Sequence, residues 1–189
     1  MKDFFDKTSL FYEATALAFV IKNHVPYSCK VVLLHQKYGK IIGIFSKYDQ
    51  AALLTSGSLI WCSVQKKNNV YALTHVDIET QINVRHVPLM HEIMKLCLHQ
   101  LPKNIAIPEM FDFLLYLQGH LDQFSDKALK VIMLRLFLML DLLDAKPDVY
   151  QMATLDPMKT DHVDNNLLVA YVSQGWNNFY ALQKIEKID

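Results

Sequence analysis

The chain has 189 residues, of which 52% are hydrophobic, and its 19 lysines and arginines balance 19 acidic residues. The apolar fraction excludes an intrinsically disordered chain, and the low glycine and proline content excludes a collagen-like or low-complexity one. The length fits one large domain or two small ones, and the zero net charge identifies no partner.

The charges are unevenly distributed along the chain. Between Ala18 and Glu79 there are seven lysines and three acidic residues, whereas the remainder is mildly acidic. This excess of positive charge indicates an anionic ligand for the first half, or else ordinary solvated lysines on strands.

The three cysteines, Cys29, Cys62 and Cys97, are far apart and form no CxxC pair, so we expect neither a zinc ribbon nor a redox motif. We expect them to pack as small hydrophobic residues, as is typical of a reducing compartment. Acidic residues near the N-terminus argue against an export signal, and no apolar run approaches the roughly 20 residues of a membrane span. We therefore expect a cytoplasmic protein without a membrane contact.

Five short runs rich in Val, Ile, Tyr and Phe precede residue 85, with turn residues between them. Such runs predict antiparallel strands, and five of them suit a small closed barrel without exposed edges. We place an N-terminal extension at 1–16 and the barrel domain at 17–82. Gly43 predicts a bulge or bend in the third strand, and Lys66 to Asn69 predict a hairpin turn. The predicted strands are 18–22, 29–36, 40–48, 58–65 and 70–79.

After residue 85 the apolar residues follow helical spacing, so we predict an all-α domain at 83–189 and an α+β fold. Predicted helices run from 88 to 101, from Pro108 to about 121, and from the Ser125 cap to about 143, with Pro147 as a terminator. Segments 167–172 and 178–185 are candidate helices separated by Gly175.

No Walker loop, GxGxxG, GxSxG or EF-hand pattern is present, and we expect a protein that is not an enzyme and has no cofactor. His91 begins an HExxH-like phrase, but Lys95 occupies the second histidine position. His91 and His99 lie on one potential helix face, and surface or capping histidines are favoured there over a metal site.

Arg135 lies inside an otherwise apolar predicted helix, where a charge is costly unless it is paired. It is either a contact for a partner or ligand, or a structural ion pair with a neighbouring element. We favour the ion pair, and keep Arg135 as the candidate partner-binding residue.

Four phrases, in order, resemble the RecO family of bacterial recombination mediators. Ala18 to Lys22 and Val31 to His35 are similar to its first two strands, and Gly39 to Lys47 is similar to its "GK…AKG" phrase. Met133 to Asp148 resembles its "LRFELRLLxLLGYxPDL" phrase, including the arginine and the Pro-Asp pair. The family's four-cysteine zinc module is missing, and Tyr48-Asp49-Gln50 stands in place of its basic run.

The resemblance implies an OB-fold followed by a helical bundle in a protein of recombinational DNA repair. Such a protein binds single- and double-stranded DNA, anneals strands and helps to load recombinase in the nucleoid. Its implied partners are a RecR-like protein and the tail of the single-strand-binding protein. An OB barrel binds single strands through basic and aromatic side chains. The candidates here are Lys37, Tyr38, Lys40, Lys47, Tyr48, Lys66 and Lys67.

Two alternatives remain open. A diverged protein with an OB-fold and a helical bundle would use the bundle as a protein–protein interaction module without binding DNA, as its neutral charge favours. An enzyme whose site assembles from distant residues is the third hypothesis.

Overall fold

The computed structural model describes residues 15–24, 29–45, 54–67 and 70–185. In these ranges, five strands form a closed barrel in the order β1-β2-β3-β5-β4, with β4 returning to β1. All neighbouring strands are antiparallel except β3 and β5. This confirms the predicted α+β class with an OB-like barrel. The strands are β1 (Thr15–Asn23), β2 (Lys30–His35), β3 (Gly39–Phe45), β4 (Leu59–Lys67) and β5 (Val70–Thr80).

The interior of the barrel is filled by alternate side chains of all five strands, as expected for a period of two. The buried cluster includes Val20, Leu33, Ile41, Ile60 and Leu73. Cys62 is part of this cluster, in agreement with the prediction that it packs as a hydrophobic residue. Residues 68 and 69 of the predicted hairpin turn lie outside the described residues, although Lys67 pairs with Val70 across it.

Gly43 has a different role from the predicted bulge. The β2–β3 register runs through Gly43 without a shift, with Gly43 opposite Val31. Gly43 is where β3 begins to pair with β5, and a Cβ there would come within 2.9 Å of the Leu73 side chain. The missing side chain therefore permits the close approach that closes the barrel.

Helix α1 (Val87–Gln100) packs against β1 and belongs to the compact unit of the barrel. Its apolar face is fully buried at Met90, Ile93 and Leu96. Helix α2 (Pro108–His120) begins in the same unit, where the Phe111 ring lies 5.3 Å from that of Phe19. The chain divides into two compact units after Leu114. The sequence instead placed the boundary between residues 82 and 83, because the change from strands to helices occurs there.

The second unit contains the end of α2 and three further helices: α3 (Asp126–Met139), α4 (Pro147–Ala153) and α5 (Asn165–Ile185). Ser125 caps α3 as predicted, because its Oγ accepts a hydrogen bond from the Ala128 N–H at 3.2 Å. The α3 helix ends earlier than predicted, and Pro147 opens a helix, at a first-turn position, rather than terminating one.

The expected break at Gly175 is absent, since α5 runs through it as one helix. A Cβ at Gly175 would come within 2.4 Å of the Phe137 ring. Phe137 is itself buried and makes an edge contact with Trp176. Gly175 is therefore a packing position between α3 and α5, where the contact offsets the poor helix propensity of glycine.

Within the described residues, no helix combines the length and apolar character that a bilayer crossing requires.

We expect Gly175→Ala to lower the free energy of unfolding by about 1–3 kcal/mol, because the new methyl group overlaps an aromatic ring that cannot move aside. Gly119→Ala is the matched control, since nothing lies within 4 Å of a Cβ in that α2 position. The control should be neutral or stabilising by up to about 1 kcal/mol. Urea titrations followed by circular dichroism measure both, and equal stabilisation by the two substitutions would contradict the packing role.

Candidate nucleic-acid interface

The seven residues predicted to contact nucleic acid are only partly within the structure's described ranges. Lys47 and Tyr48 lie outside them. Lys67 ends β4, but its side chain is not described. The four that can be placed are Lys37, Tyr38, Lys40 and Lys66.

Three of these four lie at one end of the barrel. The turn Gln36–Tyr38 joins β2 to β3, and β5 starts at the same end because it is parallel to β3. The ring of Tyr38 lies 5.4 Å from that of Tyr71, which pairs in register with Lys66. We call this set, Lys37, Tyr38, Lys66 and Tyr71, the hairpin end. Lys37 and Lys66 are exposed there.

Tyr38 is half-buried and packs against the barrel core. Its ring stacks on that of His35, with centroids 4.9 Å apart and planes 28° apart. The sequence left Tyr38 open between a base-stacking platform and a partly buried tyrosine. The structure shows a partly buried tyrosine, whose ring contacts those of His35 and Tyr71, and base stacking by this ring stays a prediction.

His35 was not singled out by the sequence, although it lies behind the hairpin end. It is 1% exposed, and its Nδ1 accepts a hydrogen bond from the Lys37 N–H at 3.1 Å. The remaining nitrogen, Nε2, is buried without a hydrogen-bond partner among the described residues. Burial, followed by the charge of Lys37, lowers the pKa of His35 to about 4. A proton on Nδ1 would also displace the Lys37 N–H, so the neutral ring stabilises the turn.

Lys40 is a correction to the predicted interface. Its side chain is buried, with 7% exposure, and Nζ donates a hydrogen bond to the Leu98 carbonyl at 2.6 Å. The Lys40 carbonyl accepts a hydrogen bond from the Asn104 N–H at 2.9 Å. An ammonium held in this way is largely withdrawn from solvent. Lys40 instead ties β3 to the end of α1 and the segment that follows it.

The neighbouring glycine has a related role. Gly39 has a positive φ of 68°, and a Cβ there would overlap the Ile105 carbonyl oxygen at 1.7 Å. The Gly39-Lys40 pair is the most recognisable part of the family-like phrase. In this chain the pair contacts residues 98–105, so a structural role accounts for both residues.

The outer face of β4 and β5 carries an aromatic residue that the sequence did not single out. Trp61 is 40% exposed and pairs in register with Asp77. The Asp77 carboxylate also forms an exposed hydrogen bond with His75 Nε2, at 2.7 Å. A carboxylate beside the indole repels phosphate, so this face is poorly suited to nucleic acid.

Arg135 lies in the second unit and is half-buried. Its Nε donates to the Ala153 carbonyl at 2.9 Å, and an Nη donates to the Leu155 carbonyl at 3.1 Å. Among the described residues these acceptors replace the carboxylate of the expected ion pair. The guanidinium therefore satisfies the carbonyls at the end of α4 and fixes the packing of α4 on α3.

The described residues offer no group of three His, Cys, Asp or Glu side chains that could hold a metal ion. Burial raises the pKa of the Cys62 and Cys97 thiols to about 12, so neither is an activated nucleophile. No protein-family model matches the chain, and no curated protein matches it.

The pKa of His35 predicts a pH-dependent stability. Because the folded state favours the neutral ring, the stabilisation is complete above about pH 6.5 and is lost as the pH falls towards 4. His35→Asn keeps an acceptor for the Lys37 N–H but does not titrate. Between pH 7.5 and 4.5, wild type should lose about 2–3 kcal/mol more unfolding free energy than the variant.

Urea titrations at a series of pH values measure this difference. Parallel pH profiles of wild type and His35→Asn would show that His35 is not the titrating group, because all other titratable groups, His24 included, are the same in both proteins.

Proposed function

We propose that the chain binds single-stranded DNA, without sequence preference, through the hairpin end of its OB-like barrel. One observation carries this proposal: exposed Lys37 precedes half-buried Tyr38, whose ring lies 5.4 Å from that of Tyr71, the register partner of exposed Lys66. Lysines neutralise phosphates, and an aromatic ring stacks on any base, so the combination favours binding without readout of base edges.

The small number of lysines determines the expected strength of binding. With Lys40 buried, two described lysines remain at the hairpin end, so we expect weak binding. Each lysine that neutralises a phosphate of a single strand contributes about −0.7 to the slope of log affinity against log salt concentration. Two lysines therefore give a slope of about −1.4.

The finer proposal is a RecO-like role in recombinational DNA repair. It includes binding of double-stranded DNA, strand annealing, a RecR-like partner, the tail of the single-strand-binding protein and a location at the nucleoid in the cytoplasm. Its support is the order in which the four phrases that resemble the RecO family occur in the sequence. The structural roles of Gly39-Lys40 and of Arg135 give two of these phrases a physical reason in this chain.

The protein-interaction module is the second candidate. Exposed apolar side chains on α5 favour it, namely Leu167, Val169, Tyr180 and Leu182. Exposed apolar side chains are more often contacts for partner proteins than for nucleic acid. On this alternative the helical unit binds a protein and the barrel serves as its support.

Fluorescence anisotropy with a labelled oligothymidine of about 20 nucleotides, longer than one OB-fold site, tests the first proposal. Lys37→Gln and Lys66→Gln should each weaken binding at low salt and reduce the salt slope by about 0.7. Lys184→Gln, which removes an exposed lysine from α5, is the matched control. Lys40 is left unchanged, because its removal would disturb the fold.

If the double variant Lys37→Gln/Lys66→Gln binds as tightly as the control, the hairpin end is not the interface. Absence of binding by wild type at low salt would reject the DNA proposal and favour the protein-interaction module.

A further inference from the structure

We propose a second site on the barrel's unit: a basic pocket that binds a phosphate or pyrophosphate group. The cavity has a volume of about 420 Å³. Its polar lining residues come from β1, the β3–β4 connection and α1, and are Lys22, Asn23, Ser56, His91, Lys95 and His99. The pocket adjoins the C-terminal end of β1, whereas the hairpin end adjoins its N-terminal end, so the two sites are separate.

Helix α1 forms one side of the pocket, and helical spacing explains which of its residues line it. His91, Lys95 and His99 are four residues apart in turn and lie on one face of the helix. The opposite face is the apolar one that covers the barrel. A lysine ammonium and imidazole N–H groups are hydrogen-bond donors, so this face suits an anion. The helix therefore presents a row of donors away from the barrel core.

Strand β1 forms another side of the pocket, next to a β-bulge. The β1–β2 register shifts between Val20 and Lys22, and such a bulge redirects the side chains next to it. Ser56 Oγ donates to the Ile21 carbonyl at 2.6 Å, and Asn23 Nδ2 donates to the Leu54 carbonyl at 2.9 Å. These bonds hold the β3–β4 connection against β1, so this wall is in place before a ligand arrives.

The charges in the pocket are predominantly positive. Lys22 and Lys95 contribute two, His91 and His99 add more when protonated, and the described lining contains no carboxylate. Glu92 lies beside the pocket, with Oε2 3.8 Å from Lys95 Nζ, and offsets part of this charge. Burial, followed by the charges of Lys22 and Lys30, lowers the pKa of His24, in agreement with a positive potential at this end of β1.

The donor set fits a compact anion with several negative charges. Lysine acts as a point charge that suits phosphate, whereas a planar carboxylate is best held by the arginine fork, which the described lining lacks. Apart from the imidazoles, the described lining offers no aromatic ring on which a base could stack. The pocket therefore recognises the phosphate group itself. That group belongs either to free phosphate or pyrophosphate, or to the phosphorylated end of a strand.

Calorimetry with inorganic phosphate and pyrophosphate, against sodium chloride at matched ionic strength, tests the site in the full chain. Wild type should bind pyrophosphate, and Lys22→Gln or Lys95→Gln should weaken that binding about tenfold. Lys184→Gln should bind as wild type does. In wild type, the ring resonances of His91 and His99 should shift as pyrophosphate is added, which reports on the site even if a variant fails to fold.

A second experiment, with two forms of oligothymidine, identifies the source of the phosphate. If a 5′-phosphorylated oligothymidine binds more tightly than its 5′-hydroxyl form, and Lys95→Gln removes the difference, the ligand is a strand end. Equal binding of the two forms, together with pyrophosphate binding, identifies a free anion. Pyrophosphate binding in a chain that does not bind oligothymidine would reject the proposed function and leave this site standing.

The inference is overturned if pyrophosphate has no more effect than chloride on wild type. It is also overturned if Lys22→Gln and Lys95→Gln both fold and bind pyrophosphate as tightly as Lys184→Gln does.

Discussion

Strand β2 is buried on both of its faces, and the arrangement of its unit depends on this constraint. Val31 and Leu33 fill the barrel interior, while Val32 and Leu34 point outward and are nevertheless buried. A barrel strand with two apolar faces needs a cover, because exposed apolar surface costs about 25 cal/mol per Å². The end of α1 and the segment after it lie beside Val32, because Leu98 and Asn104 line one small cavity with it, and the Lys40 ammonium donates a hydrogen bond to the Leu98 carbonyl there.

This packing bears on where a ligand can bind. OB-folds commonly bind nucleic acid across strands 2 and 3, and in this chain the end of α1 and the segment after it lie against that region, where they line a small cavity with Val32, Lys40 and Ile42. Lys37, Lys66 and Lys103 are exposed in this unit, and Lys95 is half-buried on the outer side of α1. The amphipathic character of α1 therefore connects packing to function, since one face closes the barrel and the other carries His91, Lys95 and His99.

Much of the fold could be predicted because it depends on local patterns. The β-rich runs predicted all five strands, and the Ser125 cap predicted the start of α3. Gly175 and Pro147 were misinterpreted because each was treated as a breaker by its local propensity. Gly175 lies inside a continuous helix, where the Phe137 ring occupies the space that a Cβ would need. Pro147 begins a helix because it occupies a first-turn position. Neither fact is visible without the neighbouring element.

The candidate site was less predictable than the fold. The sequence does not distinguish Lys37, Lys40 and Lys66 from one another. Only the packing of residues 98–105 removes Lys40 from the surface. The sequence by itself determined the strand and helix content, the barrel and the positive charge of the first half, because these follow from periodicity and counting. Only the tertiary structure decided which cations face solvent and which share a pocket, because burial and charge proximity arise between residues that are distant in the chain.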